Sequence, residues 1–247
     1  MRCYYIYDDK PGDKPVYQGF AWLKLRSNKS GGLIAVHGLR NLEHYAQRKG
    51  LNGFKELKRS PHSTVIDSVS YDLVLPSKIP HNGRNRPLLA LHPSADYLDK
   101  LYAITQLSQM LVVVFSEKDI STWKKYSSAT EYGKEQVPVQ NNLNKVVQVA
   151  LKHLNMTLNM ANGMNHPRNQ DFFKSTFAML LKHDEKYDSE DVKAWLISNA
   201  QWDPKDAQQA ASIVEDIKKA KRIRLSMQDH RYKEDTIEKW RKEAETI

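Results

Sequence analysis

Short apolar runs bounded by glycine, proline and polar residues recur in the first half of the chain. They occupy residues 33–36, 88–91 and 110–115. A continuous apolar run of this length predicts a strand that is buried on both faces, as in a parallel sheet. Apolar residues at helical spacing follow the first two runs, over residues 39–46 and 94–107. The pattern predicts a Rossmann-like α/β fold with a mostly parallel sheet and right-handed crossovers.

The N-terminal residues carry two runs that are rich in aromatic and β-branched side chains. The first run covers residues 3–7, and the second, residues 16–25, shows an alternating pattern. Residues 8–15 between them contain several Asp, Pro and Gly residues, which favour turns. This arrangement predicts an N-terminal β-hairpin. Two further short runs, residues 63–69 and 71–75, also favour strands.

Beyond residue 140 the apolar residues recur every three or four positions, which is typical of helices. This spacing predicts five helices, at about residues 143–163, 172–181, 190–199, 204–224 and 233–246. Asp203 suits the N-cap of the fourth helix and Pro204 its first position. We therefore predict two domains, an α/β domain over residues 1–135 and an all-helical domain over residues 141–247.

The cysteine content limits the possible chemistry. Cys3 is the single cysteine, so the chain forms no intramolecular disulfide and no site built from several thiolates. A single cysteine is compatible with a reducing compartment. No signal-peptide pattern and no apolar run of membrane-spanning length occurs in the sequence. We expect a cytoplasmic protein without a membrane partner.

Positive charge is concentrated in the first part of the chain. The net charge is +9, and residues 1–90 hold 15 Lys and Arg against 7 Asp and Glu, an excess of eight. Such an excess favours nucleic acid or phosphate-bearing partners, although it also occurs on proteins that need only solubility. The candidate basic residues are Lys55, Lys58, Arg59, Lys78, Arg84 and Arg86.

Three predicted strands end on residues capable of binding or catalysis. His37 and Gly38 follow the first strand, His92 and Ser94 the second, and Ser116 the third. The carboxyl ends of parallel strands share one edge of a sheet, where helix N-termini present free N–H groups. We therefore predict His37, His92 and Ser116 as catalytic residues and Gly38 and Ser94 as ligand-binding residues. Serines at such positions also cap helices, and histidines there also serve only to bond the backbone.

Several common motifs are absent from the sequence. It contains no GxGxxG, GxxxxGK[ST], GxSxG or HExxH pattern, which argues against a P-loop NTPase, an ordinary dinucleotide dehydrogenase, an α/β-hydrolase and a zincin. We predict no metal site, since the sequence does not bring together the acidic residues near strand ends that such a site needs. These residues are Asp67, Asp72, Glu117 and Asp119. No cofactor follows from the sequence.

Three functions remain open from the sequence. The leading hypothesis is a protein that binds a phosphate-bearing ligand, nucleic acid or nucleotide, with the helical half as a regulatory or partner-binding module. The second is an enzyme of phosphoester or N-glycosidic chemistry that uses the histidines at the strand ends. The third is a non-catalytic adaptor with aromatic anchors on its helical half. These anchors would be Phe172, Phe173, Trp195, Trp202 and Trp240.

Overall fold

The chain consists of two compact units, residues 1–139 and residues 140–247. A computed structural model describes residues 1–8, 14–27, 30–47, 51–135, 143–158, 163–220, 232–233 and 235–247. Within these residues, the first unit contains a β-sheet with helices and the second unit is helical.

A seven-stranded sheet forms the centre of the first unit, counting the strands of the described residues. The strands are β1 (Arg2–Tyr7), β2 (Gly32–Val36), β3 (Ser63–Ile66), β4 (Val69–Val74), β5 (Leu88–Leu91), β6 (Gln109–Val114) and β7 (Thr130–Glu131). Their order across the sheet is β3-β4-β2-β5-β6-β1-β7. Only β3 and β4 pair antiparallel among these neighbours, and the other pairs are parallel. The predicted mostly parallel α/β fold is confirmed.

Helices cover the sheet and supply most of its apolar partners. They are α1 (Lys14–Arg26), α2 (Leu39–Ala46), α3 (Ala95–Tyr102) and α4 (Ser121–Ser127), with 3₁₀ helices at Asn52–Lys58 and Glu117–Asp119. Phe20 of α1, Leu42 of α2 and Phe54 of the first 3₁₀ helix belong to one core cluster. Leu89 and Val113 of the sheet belong to the same cluster. We call the side of the sheet that faces this cluster the α2 face.

The first helix corrects the N-terminal part of the prediction. Residues 16–25 lie in α1 instead of forming the second strand of a hairpin. Val16, Phe20 and Leu23 are four and three positions apart and all are buried, so a helical pattern underlies the alternating one. A Cβ on Gly19 would come within 2.9 Å of a β5 side-chain carbon, so the glycine lets α1 approach the sheet closely. β1 pairs in parallel with β6 and β7.

The second unit is helical, as its spacing predicted. Its described helices are α5 (Lys145–Thr157), α6 (Pro167–Lys182), α7 (Ser189–Ala200), α8 (Pro204–Lys219) and α9 (Thr236–Ala244). Asp203 caps α8 as predicted, since its carboxylate accepts a hydrogen bond of 2.8 Å from the Lys205 N–H. Residues 159–162 and 221–224, which the prediction included in helices, lie outside the described residues. No helix of the described residues is both long and apolar enough to cross a bilayer.

Candidate ligand-binding site

The strand order reverses between β2 and β5, which are neighbours in the sheet. From β2 the chain continues through α2, the first 3₁₀ helix and β3 to β4 on one side. From β5 it continues through α3 to β6 on the other. Right-handed crossovers then require the two helices to leave the sheet on opposite faces. In open α/β sheets, ligands bind outside the carboxyl ends of the strands at such a reversal. The residues that follow β2 and β5 therefore occupy the position at which such sheets bind ligands.

Three residues reach the carboxyl edge of the sheet on the α2 face. Ile6, Val36 and Val113 belong to the core cluster on this face. Side chains alternate along an extended strand, so the position two residues later lies on the same face. Gly38 keeps an extended backbone, with φ −169° and ψ 166°. The three residues at these later positions are Asp8, Gly38 and Phe115.

His92 reaches the same face because its backbone departs from the strand conformation. Leu89 and Leu91 belong to the cluster on the α2 face, so simple alternation would direct His92 to the opposite face. Its φ of 47° is in the left-handed region, which non-glycine residues adopt infrequently. The imidazole instead lies beside Tyr45 of α2, with ring centroids 5.8 Å apart.

Both ring nitrogens of His92 have hydrogen-bond partners. Nε2 lies 2.9 Å from Oδ2 of Asp8, and Nδ1 is hydrogen-bonded to the hydroxyl of Tyr45. A neutral imidazole satisfies both, since Nε2–H donates to the carboxylate while Nδ1 accepts from the hydroxyl. The side chains of His92 and Asp8 are only 9% and 10% exposed. The three residues tie β1, β5 and α2 together at the edge of the sheet.

Phe115 covers His92 on the outside of this arrangement. The two rings are nearly parallel, at 13°, and their centroids are 3.9 Å apart. Phe115 is nevertheless 60% exposed, whereas phenylalanine is among the residues that are most often buried. The imidazole holds the phenyl ring in a defined orientation while much of the ring remains open to solvent.

Gly38 begins helix α2 beside this group. It is the N-cap of the helix, and among the described residues no side chain caps it by a hydrogen bond. Of the atoms in the described part of the chain, a Cβ at this position would meet within 4 Å the Oδ1 of Asn41, at 3.6 Å. The described residues therefore leave space in front of the first turn of α2, on the side where a Gly38 side chain would lie.

The other predicted strand-end residues do not share this face. His37 is exposed and its ring meets the edge of Tyr97 of α3, with centroids 6.0 Å apart. Ser94 caps α3, accepting a hydrogen bond of 3.4 Å from the Tyr97 N–H. Ser116 donates through its hydroxyl to Asp119 at 3.0 Å, at the start of the second 3₁₀ helix. His37 and His92 thus contact helices on opposite faces of the sheet, and both serines are N-caps of the helices that follow them.

A second polar cluster occupies the carboxyl ends of β1 and β6. Glu117 accepts hydrogen bonds from the Tyr7 hydroxyl and from Nζ of Lys124. The Lys124 ammonium lies 4.6 Å from the centroid of the Tyr5 ring. Partial burial alone would lower the pKa of Lys124, but hydrogen bonds to Glu117 and Tyr5 outweigh it and the pKa is raised. The cluster holds its charges in pairs and serves to join α4 to the sheet.

Carboxylates neutralise part of the predicted basic surface. The first 3₁₀ helix and α2 line a surface pocket of about 610 Å³. Lys58 donates to Glu43 at 2.8 Å, which lowers the pKa of Glu43, and Arg59 donates to Glu56 at 3.0 Å. The pocket is lined by Leu42, Glu43, Gln47, Lys55, Glu56, Lys58 and Arg59. It therefore offers mixed charge to a ligand.

The other predicted basic residues lie apart from one another. Arg86 is paired with Asp72, and its side chain is 13% exposed. Lys78 follows the carboxyl end of β4, where its N–H bonds the carbonyl of Leu75. Arg84 lies beside the turn that precedes β6, at the amino ends of the strands. The six basic residues of the prediction do not form one continuous surface.

Cys3 has no role as a nucleophile at neutral pH. It lies in β1 with 4% exposure, and burial raises the pKa of its thiol to about 12. The thiol is therefore protonated and enclosed, whereas reactive cysteines are exposed thiolates. In the part of the chain that the structure describes, no group of three or more His, Cys, Asp or Glu residues lies close enough to hold a metal ion.

The group at the strand ends on the α2 face consists of Asp8, Gly38, Tyr45, His92 and Phe115. Three of these residues are not among the predicted site residues. Asp8 falls in the turn of the predicted hairpin, which hides its position at the end of a parallel strand. Tyr45 fits the apolar pattern of α2, and Phe115 fits the apolar run of β6. The Asp-Asp pair directly after a β-favouring run is the one signal in the sequence that indicates a strand end near Asp8.

Together the first unit is an open, mostly parallel α/β sheet with a polar and aromatic group at its strand-order reversal. Residues 143–241 of the second unit match a family described as a domain of unknown function (DUF1889). No curated protein and no solved structure matches the chain.

Proposed function

We propose that the first unit binds a phosphate-bearing ligand of the nucleotide class at the carboxyl edge of its sheet, on the α2 face. The reversal of strand order between β2 and β5 carries this proposal, because it is the general location of ligand sites in such sheets. Gly38 starts α2 at this position without a side-chain cap. The N–H groups and positive dipole end of a helix favour phosphate oxygens.

A small ligand fits these observations better than a nucleic acid. Nucleic acid affinity depends on cations that contact several successive phosphates. Lys58, Arg59 and Arg86 are paired with carboxylates, and Lys78 and Arg84 lie at opposite edges of the sheet. A nucleotide needs just one phosphate-binding position. The helical unit, in this proposal, is a regulatory or partner-binding module.

Substitution of Gly38 by Asp tests the proposed site. Gly38 has an extended backbone and open space, so Asp and Asn both fit and both cap helices well. The carboxylate of Gly38→Asp repels a bound phosphate, whereas Gly38→Asn has the same size without the charge. We expect Gly38→Asp to weaken binding about tenfold or more, given the cost of like charges about 4 Å apart near a surface. Gly38→Asn should change it about twofold at most, since it adds no charge.

Isothermal titration with ADP, GDP, UDP and pyrophosphate provides the measurement. Circular dichroism should report equal folding of both variants. Absence of binding by all four probes to the wild type would overturn the proposal. Binding that Gly38→Asp leaves unchanged would locate the ligand elsewhere and overturn the assignment to this edge.

The enzyme alternative ranks below ligand binding. It requires His37 and His92 to reach one substrate as acid and base. His37 meets α3, whereas His92 lies on the α2 face with both ring nitrogens in hydrogen bonds.

The adaptor alternative loses four of its anchors, because Phe173, Trp195, Trp202 and Trp240 are buried in the helical unit. We retain the cytoplasm as the proposed location, on the basis of the single cysteine.

A further inference from the structure

We infer that Phe115 is the platform on which the aromatic base of the nucleotide stacks. This inference rests on the proposed function and specifies that the ligand carries an aromatic base. It assigns the site to nucleotides in preference to sugar phosphates or inorganic phosphates, because only the nucleotide brings a planar aromatic ring.

The orientation of the Phe115 ring is the first argument. The ring is 60% exposed, yet it lies at 13° to the imidazole of His92 with centroids 3.9 Å apart. His92 is itself held at both nitrogens, by Asp8 and Tyr45. An exposed aromatic ring that is held flat presents an ordered surface for stacking, because the protein has already restricted its rotation.

The distance to the start of α2 is the second argument. Gly38 follows β2, His92 follows β5 and Phe115 follows β6, and these three strands are consecutive in the sheet. Neighbouring strands are about 4.8 Å apart, so about 10 Å separates the ends of β2 and β6. An extended nucleoside diphosphate reaches from its base to its terminal phosphate over such a distance. Both ends of the site lie on the α2 face.

The chemistry of the ring sets the expected selectivity. Stacking of a base on an aromatic side chain depends on the π-face that every base has, so it discriminates weakly among bases. Phe115 provides no hydrogen bond that would read a base edge. We therefore expect ADP, GDP and UDP to bind with similar affinity, and each of them more tightly than pyrophosphate.

Replacement of Phe115 is the direct test. Phe115→Leu retains an apolar side chain without a π-face, and Phe115→Trp restores a larger one. Because the side chain is largely exposed, both variants should fold. Tyr132→Leu is the matched control, since Tyr132 is an aromatic residue with 38% exposure that follows β7.

Titration of each variant with ADP and with pyrophosphate distinguishes the contribution of the base to the affinity from that of the phosphates. We expect Phe115→Leu to weaken ADP binding about tenfold and to leave pyrophosphate binding unchanged, as loss of one stacked base implies. Phe115→Trp should restore ADP affinity and Tyr132→Leu should preserve it. A fluorescent ethenoadenosine diphosphate should be quenched on binding the wild type and less so on binding Phe115→Leu.

The outcomes distinguish this inference from the proposed function. If ADP affinity falls in Gly38→Asp but not in Phe115→Leu, the site stands and the stacking inference is overturned. If Phe115→Leu weakens pyrophosphate as much as ADP, the residue supports the structure of the edge and the inference is again overturned. If neither probe binds the wild type, the proposed function and the inference fall together.

Discussion

His92 is the residue at which the chain departs from the alternation of its strand. Its left-handed backbone, φ 47°, turns the imidazole to the α2 face, where Asp8 and Tyr45 bind its nitrogens. Residues in sparsely populated backbone regions persist where the surroundings determine them, and they are frequent at functional sites. Here the partners that determine the conformation belong to β1 and α2.

Tyr45→Phe tests the importance of this arrangement for stability. The change removes the hydroxyl that bonds Nδ1 of His92, whose side chain is 9% exposed. We expect the free energy of unfolding to fall by about 0.5–1.5 kcal/mol, the net contribution of one intramolecular hydrogen bond. Urea denaturation provides the measurement.

Tyr132→Phe is the control for this comparison, because it removes a hydroxyl from a more exposed ring. It should alter the free energy of unfolding by less than about 0.5 kcal/mol. A Tyr45→Phe variant as stable as Tyr132→Phe would show that the hydroxyl contributes nothing to the edge of the sheet.

At the scale of elements, the ends of helices follow the local sequence closely. Asp203 accepts from the Lys205 N–H at 2.8 Å, and Pro204 occupies the start of α8, where a proline loses no helical hydrogen bond. Asp188 caps α7 in the same way, accepting from the Glu190 N–H at 2.9 Å. Such caps depend on residues within one turn, which is the reason that a sequence reveals them.

Asp203→Ala tests the cap of α8. The variant should lose about 1 kcal/mol of stability, since the N–H of Lys205 loses its acceptor. Asp203→Asn keeps a side-chain oxygen at the same position and should remain within a few tenths of a kcal/mol of the wild type. Thermal unfolding followed by circular dichroism measures both. Equal melting temperatures for the Ala and Asn variants would contradict the assignment.

The type and length of an element are harder to predict from the sequence than the cap at the start of a helix. Residues 16–25 satisfy both an alternating and a helical pattern, and burial of Val16, Phe20 and Leu23 against the sheet selects the helix. The helix between β5 and β6 is shorter than its apolar spacing predicts, since α3 ends at Tyr102. Contacts with the sheet decide the first case. In the second, Thr105 and Gln106 hydrogen-bond to the loop of residues 81–85 instead of continuing the helix.

At the scale of the whole molecule, the six predicted basic residues, all of them in the part of the chain that the structure describes, do not form one continuous surface. Lys58, Arg59 and Arg86 each have a carboxylate partner, so these pairs contribute nothing to the net charge of +9. Charge that is already neutralised within the protein releases few counterions when a nucleic acid binds. These paired side chains therefore add little to the attraction for nucleic acid.

The salt dependence of duplex DNA binding tests this view. Fluorescence anisotropy with a mixed-sequence duplex at several salt concentrations gives the slope of log K against log salt. We expect a slope shallower than about −3, because each phosphate contact contributes about −0.9. A slope near −5 would indicate that all six predicted basic residues bind phosphates together, and it would restore the nucleic acid interpretation.

The linear pattern of residues is enough to predict the class of the fold and the helical character of the second unit. Buried strands, helical spacing and caps all depend on neighbours within a few positions, so a linear pattern records them. It also identified Gly38 and His92 as residues that follow strands, because glycine and histidine directly after an apolar run are visible without a structure.

Tertiary structure alone decided which of these residues meet. Asp8 and His92 are 84 positions apart, and they come together because β1 pairs with β6 and not with the following segment. The left-handed backbone of His92 separates it from His37 and brings it beneath Phe115. Pairing between distant strands depends on the packing of the whole sheet, and no local pattern in the sequence encodes it.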